Sequence, residues 1–484
     1  MRLDDRTRPW WTLAGTCAGL FLLMLDSTVV ALALTEMGRE LDASAATLQW
    51  VLNGYLLVVA VLVVTAGRLG DIYGRRLVFI AGMVVFGAGS VLAALAQDDE
   101  VMIAARLAQG AGAAAMLSLS LAIVSHAFPR ERQAQALGIW AAVSAIGLAV
   151  GPLVGGLLIE LDWRLIFWIN LPLIAFGIVV VLVAADESRD ESAEHRIDVP
   201  GLLTISFGLG ALVLGIVQSD VWGWTAPYTL GLIGGGLLLL GAFWAIEHRV
   251  SQPIIEFPLF RNRPYLGATA AAFAVVGAYW SVIYFEPQYL QDVLDYSPAV
   301  AGILILPVTA PMVVISPLSA RLIGRFGVRA LMTAGMVAGA AGLALLTAIG
   351  PESGYAALLP GYGLFGVSIG CVYAPMSTAA MTAMPRAKAG IAAGVLAMNR
   401  VLAGAVMLAI VGAVFQSLQS DRIASGDSRA SAFSSALGDA TWLLVALVAL
   451  GAVVTWVLLR GAPAAAAIEP EDRIHHMHHR RFHL

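Results

Sequence analysis

Asp26 and Arg106 are charged side chains set inside long apolar runs, residues 10–33 and 101–127. On membrane-insertion scales such a charge costs about 2.5–3.5 kcal/mol, so it turns inward and finds a partner. Asp26 precedes Leu34, at the far end of its run, by eight residues, or roughly 12 Å of helix. Arg106 follows Val101 by five residues on a run of opposite direction, or roughly 8 Å. An arginine side chain spans the difference, so the spacing predicts that the two meet in one layer. Burial and a guanidinium pull in opposite directions on the Asp26 proton. A change in their separation or hydration would load and release it. A static ion pair that only fixes helix packing is the simpler alternative.

Other residues offer binding rather than proton chemistry. Arg400 lies nine residues into the run 391–417, near a membrane midplane at roughly 14 Å. No acid sits at matching depth in the second half of the chain, so Arg400 lines a cavity, binds an anionic group or pairs with an unidentified acid. Glu286 stands before Pro287 at the end of the run 264–286, among Tyr284, Phe285 and Tyr289. Its surroundings read as an interfacial aromatic belt with a solvated acid, or as a vestibule that attracts cations. Trp50, Asn53, Tyr55, Trp140, Tyr279, Trp280, Tyr373 and Asn399 are the remaining candidates for lining an apolar, aromatic substrate pocket.

These residues need helices that cross a bilayer. Of 484 residues 59% are apolar and only 12% charged, against about 25% charged in soluble domains. The net charge of -4 gives no reason to expect nucleic acid. Fourteen apolar runs are separated by polar breaks: 10–33, 47–66, 77–96, 101–127, 135–159, 165–184, 199–218, 228–246, 264–286, 298–320, 330–349, 355–383, 391–417 and 440–459. The first is too long, and with Asp26 too charged, for a signal peptide. Lys and Arg test the count: 22 fall at the termini and in the even-numbered gaps, four in the odd-numbered gaps, and two inside runs. The positive-inside rule then places both termini in the cytoplasm. The expected fold is an all-α membrane protein of two pseudo-symmetric six-helix bundles plus two inserted helices. Its parts are residues 1–185, an inserted pair with connectors at 186–262, 263–460, and a cytoplasmic tail at 461–484.

An internal repeat supports the halves. Gly67-Arg-Leu-Gly-Asp71-Ile-Tyr-Gly74-Arg75-Arg76 follows the second run, and Ala320-Arg-Leu-Ile-Gly324-Arg-Phe-Gly327-Val-Arg329 follows the tenth. In the first copy the glycines permit a tight turn, and Asp71, Arg75 and Arg76 are within reach of one ion-pair cluster that Glu131, in the next even-numbered gap, would join. Such a cluster can lock one closed arrangement and release another. In the fifth run Gly147, Gly151 and Gly155 are four apart, a smooth stripe for close helix approach. Pro152 interrupts the hydrogen-bond ladder, and Gly156 extends the motif. The stripe is expected to be a packing seam between moving parts, not a ligand site.

The loop at 67–76 resembles the signature loop of the major facilitator superfamily. Leu25-Asp26-Ser27-Thr28-Val29-Val30, Arg106-x-x-Gln109-Gly110-x-Gly112-Ala113 and Gly147-x-x-x-Gly151-Pro152-x-x-Gly155-Gly156 resemble motifs of its fourteen-span drug:proton antiporters. Smaller matches are Gln49-Trp50 with Tyr55-Leu56, Trp163-Arg164 through Asn170-Leu-Pro172, and Gly390 through Gly394 with Asn399-Arg400. The pattern departs at Thr35, where the family usually has proline, and at Gly324, where the second loop lacks its acid. The resemblance implies a proton-coupled multidrug efflux antiporter of the cell (inner) membrane, a determinant of antibiotic resistance that exports lipophilic cationic or neutral molecules by alternating access. It also implies proton-coupling roles for Asp26 and Arg106.

No Walker loop, nucleophile triad or zinc spacing occurs in the sequence, so neither an enzyme nor a metal site is expected, and protons serve as the coupling ion without a cofactor. Five histidines in the last ten residues, from His475 to His483, read as a solvated tail. The expected partners are lipophilic substrates and membrane lipids, with the chain a monomer. Export or flipping of an endogenous lipid or secondary metabolite is the alternative within transport. A non-transporting membrane sensor or scaffold is the alternative outside it.

Overall fold

The computed structural model describes residues 4, 6–189, 198–250, 253–255, 257–384 and 389–460. Its helices are α1 (Arg8–Glu40), α2 (Ala45–Tyr73), α3 (Arg75–Ala94), α4 (Asp99–Ala127) and α5 (Arg130–Ile159), then the short α6 (Leu165–Trp168) running into α7 (Asn170–Ala184). After the next connector come α8 (Val199–Val217), the single turn α9 (Ser219–Trp222) and α10 (Pro227–Glu247). The remainder is α11 (Arg263–Gln288), α12 (Pro298–Leu304), α13 (Leu306–Leu346), α14 (Tyr355–Thr382), α15 (Ala389–Ala424) and α16 (Arg429–Leu458). The described residues form fourteen helical segments long and apolar enough to cross a membrane, and no strands. In hydrocarbon every backbone polar group needs an internal partner, which helices supply.

Two boundaries differ from those expected. The ninth segment does not end at Pro287: α11 continues through it into a π-helical turn, Tyr289–Val293. Membrane helices tolerate a proline because neighbouring groups and local π adjustments take up the freed carbonyl. The tenth and eleventh segments join through α13, which is broken at Gly327 (φ 76°, ψ 156°). Gly327 stands where Gly74 stands in the first loop, and Gly74 too has a positive φ, 122°. The repeat therefore shares a backbone break even though Gly324 replaces the acid.

The loop arginines repeat as well. Arg76 Nη1 donates to the Ala185 carbonyl at 3.0 Å, just beyond α7. Arg329 Nε donates to the Trp456 carbonyl of α16 at 2.8 Å, its guanidinium over the indole. Each ties its loop to the last helix of a set of six. The α8–α10 pair buries Ile205, Leu209, Val213 and Phe243 in one cluster with Leu57 and Val61 of α2 and Met398 and Ala409 of α15. It lies against the seam where α2 meets α15.

Candidate functional site

Five helices converge on Asp26. Helix α4 starts from Asp98, whose Oδ1 accepts the Val101 N–H at 2.7 Å. Gly112 then lets α4 lie against α3, where an added Cβ would meet the Gly82 carbonyl, and Gly110 lets it lie against the Tyr55 backbone of α2. That close nesting points Arg106 and Gln109, one helical turn apart, at α1. Arg106 Nη1 donates to Asp26 Oδ2 at 2.7 Å and to Gln109 Oε1 at 2.7 Å, while Nε donates to the Val51 carbonyl at 3.0 Å. The Tyr55 ring lies 4.4 Å below the guanidinium, an additional cation–π contact. Asn170 Nδ2 of α7 donates to Asp26 Oδ1 at 3.2 Å and Gln109 Nε2 approaches the same oxygen at 3.5 Å. Both amides also donate to Ser90 Oγ of α3, at 3.1 and 2.9 Å.

Both charged side chains have no solvent exposure at all. Attraction in so dry a place offsets the loss of hydration only when the remaining polar atoms are satisfied. Here Arg106 Nη2, Asn170 Oδ1 and the Tyr55 hydroxyl lack partners. The network is bonded enough to hold and incomplete enough to rearrange. The spacing identifies Asp26 and Arg106, but Ser90, Gln109 and Asn170 were not among the expected site residues. Gln109 carries a signal, three residues after Arg106 on the same face; Asn170 lies in a matched motif; Ser90 has none.

The glycine stripe of α5 divides between two neighbours. Gly147, Gly151 and Gly155 face Met24, Thr28 and Val29 of α1, the turns on either side of Asp26. Gly156 faces the Pro298 carbonyl, and a Cβ on Gly302 of α12 would collide with the Pro152 carbonyl. One edge of the motif fixes α5 to the site helix while the other lies against the second set of six.

The loop at 67–76 is built differently from the expected cluster. Arg75 pairs with Asp71 at 2.8 Å. Arg76 is 3.9 Å from Glu187, whose carboxylate also accepts the backbone N–H of Arg76 and of Leu77 at 2.9 and 3.1 Å. Glu187, beyond α7, is thus the anion at the α3 N-terminus and a residue that the motif does not reveal. Gly67 lies against Ser118 of α4. The Glu131 side chain lies outside the described residues, as does the histidine-rich tail. A Cβ on Gly74 would crowd the Glu187 carboxyl, and its backbone angle disfavours any side chain. Gly74→Ala is expected to cost on the order of 1–3 kcal/mol, read as a lower thermal unfolding midpoint in detergent.

In the second set of six, Glu286 is corrected from a solvated helix end to a buried position, 3% exposed, because α11 runs on past Pro287. It accepts the Tyr362 hydroxyl of α14 at 2.6 Å. Arg400 lies over the Tyr373 ring at 5.0 Å. Tyr279 is buried with its hydroxyl unpartnered, Trp280 packs on Gly404, and Asn399 donates to the Thr269 carbonyl at 2.9 Å. The other proposed pocket residues disperse. Tyr55 belongs to the Arg106 site; Trp140 donates to Ser120 of α4 at 3.2 Å; Trp50 packs in the cluster that includes α8 and α10; and buried Asn53 has neither amide atom bonded.

Polar contacts between the first six segments and the last six gather at the end that the arginine bias assigns to the outside. Gln291 Nε2 donates to the Leu32 carbonyl at 3.1 Å, and Ser297 Oγ to Glu160 Oε1 at 2.6 Å. Asp292 lies 3.6 Å from Arg39 and accepts the Thr35 hydroxyl at 3.5 Å. Gln49 of α2 seats on Gly412 of α15. That end is shut.

Residues 16–408 match the family description Major Facilitator Superfamily. The chain belongs to the major facilitator superfamily. Within the superfamily it is 37% identical over 405 residues to the Multidrug resistance protein Stp of Mycobacterium tuberculosis (strain CDC 1551 / Oshkosh), covering 83% of this chain and 75% of that protein. It is 32% identical over 417 residues to the Tetracenomycin C resistance and export protein of Streptomyces glaucescens, covering 86% and 78%. An auto-inhibited POT family peptide transporter of known structure has the same fold, with a TM-score of 0.67 at 15% identity over 96% of this chain and 99% of that one. Relatives in the superfamily are thus resistance and efflux proteins, and the chain is a multi-pass membrane transporter rather than an enzyme.

Proposed function

We propose that the chain exports lipophilic cationic or neutral small molecules in exchange for protons, with Asp26 as the proton carrier and Arg106 as its partner. The observation that carries this reading is the Asp26–Arg106 pair, without solvent exposure and bounded by three unpartnered polar atoms. Intramembrane ionisable groups are costly and mark ion pathways. A carboxylate that loses its guanidinium in such a place keeps its charge only at great cost. It takes a proton when Arg106 is drawn away, and Arg106 displaces that proton on returning. Acceptors that could retain Arg106 as it leaves Asp26 are at hand: Gln109 Oε1 and the Val51 carbonyl already accept from its guanidinium.

The proton step couples to substrate through rocking of two six-helix bundles, with both termini cytoplasmic. Gly147, Gly151 and Gly155 fix α5 to α1, so a tilt of α5 against α12 moves the helix that carries Asp26. The α8–α10 pair, lying along the α2–α15 seam, braces that hinge. The resistance and export named for the relatives supports an outward direction of transport.

The test is proteoliposomes containing the purified chain and an imposed pH gradient. Ethidium is expected to accumulate in vesicles that are acid inside, and a protonophore is expected to abolish the accumulation. Accumulation that survives the protonophore would remove proton coupling, and no movement under any gradient would leave the sensor or scaffold alternative.

A further inference from the structure

Arg400 is the charge that the proton mechanism does not use. It lies on α15, which begins at Ala389, so it stands roughly 17 Å along the helix, well within the bilayer. The other charges at depth have partners: Arg106 holds Asp26, and Glu286 accepts the Tyr362 hydroxyl. Arg400 contacts an aromatic ring, Tyr373, and forms no ion pair among the described residues. A bare guanidinium inside a membrane is costly, and a cation–π contact returns only part of the lost hydration.

What surrounds Arg400 is suited to a flat ligand. Its side chain is only partly buried, so a face remains open. Tyr279 of α11 is 6% exposed, and its hydroxyl has no hydrogen-bond partner. It lies near enough to Tyr373 of α14 for the two phenols to interact electrostatically. Trp280, next to Tyr279, packs against Gly404, one turn beyond Arg400 on α15. Three helices thus bring together a planar fork of N–H donors, a hydroxyl without a hydrogen-bond partner and neighbouring aromatic rings. A guanidinium fork matches the paired oxygens of a carboxylate or sulfonate. Rings at its side select an aromatic skeleton.

We propose that Arg400, with Tyr279 and Tyr373, forms a subsite for planar aromatic molecules that carry an acidic group, the guanidinium binding the anion and the phenols flanking the ring. The pump would then accept aromatic acids beside cationic and neutral lipophiles. The subsite's binding stands on this geometry alone; its place on a transport path rests on the efflux reading.

Two probes of one skeleton separate charge from shape: 9-anthracenecarboxylate, an anion, and 9-anthracenemethanol, which is neutral. Binding is measured by equilibrium dialysis with the purified chain in phosphatidylcholine nanodiscs. Arg400→Gln is expected to weaken the carboxylate at least tenfold and to change the alcohol by less than twofold. Arg400→Lys, which keeps the charge but loses the fork, is expected to fall between. Tyr279→Phe is expected to weaken the carboxylate severalfold. Equal loss of both probes in Arg400→Gln would show a packing role and overturn the subsite, as would unchanged carboxylate binding. Displacement of the carboxylate by phosphatidylglycerol at matching membrane concentration would reassign the anion to a lipid headgroup and overturn it too. Proton-driven uptake of the alcohol in proteoliposomes is scored separately. Its absence counts against the pump, while dialysis still decides the subsite.

Discussion

Asp26→Asn is expected to reduce substrate-driven proton movement to the level of empty vesicles, while movement of substrate down its own gradient persists. Asparagine retains the size of the side chain and an oxygen that can accept from Asn170 and Gln109, but it cannot exchange a proton. The change also leaves Arg106 charged and without its counter-charge, and breaking a buried pair by removing one member costs about 3–5 kcal/mol. The single variant is therefore expected to unfold earlier as well. The double variant Asp26→Asn with Arg106→Gln removes both charges and is expected to recover much of that stability without recovering proton movement. Stability and coupling are thereby separated. Proton movement by Asp26→Asn equal to that of the parent chain would remove Asp26 from the role.

Gly151→Val is expected to have the largest effect on folding. A single added carbon at Gly151 already overlaps the Thr28 hydroxyl and lies 3.1 Å from the Leu25 carbonyl of α1. Valine adds two more carbons between backbones that no rotamer can separate. Overfilled cores usually cost about 1–3 kcal/mol and occasionally more, and this one displaces the turn that carries Asp26. The expected result is a loss of about 3 kcal/mol or failure to accumulate in the membrane, read by fluorescence-detected size exclusion after heating in detergent. Gly210→Val on α8, where nothing lies within 4 Å, is the matched control and is expected to leave the elution profile unchanged. Equal behaviour of the two variants would mean that the α1–α5 approach is not what holds the site together.

The helices and the two site charges were legible because both rest on strong, local physics. Some twenty apolar residues in a row have one stable home, and a lone acid or guanidinium in such a row needs a mate. The neutral members were harder. Gly89, next to Ser90, lies against Ala105 and Gln109 of α4, and Gly87 lies against Ile174 of α7, but these are contacts between distant segments, and an uncharged polar residue in a helix gives no sign of where it points. Glu286 was misplaced because Pro287 reads as a stop signal, whereas a π turn carries α11 onward. Glu187 was missed because its task is to bond backbone N–H groups at the head of α3. Such a contact between distant segments leaves no spacing pattern. In the second loop the acid was correctly read as absent, yet the turn survives at Gly327 because a positive φ depends on glycine rather than on charge.

Beside the polar contacts at the shut end of the bundle lies closely packed backbone: a Gly302 face against the Pro152 carbonyl and a Gly156 face against that of Pro298. A Cβ at either glycine would collide with the opposite backbone, so the two sets of six approach closely there. A carrier idling without cargo would short-circuit the membrane if hydronium could seep along its own cleft. On the proton-coupled reading proposed above, main chain packed on main chain at that end would keep the resting molecule from draining its own gradient.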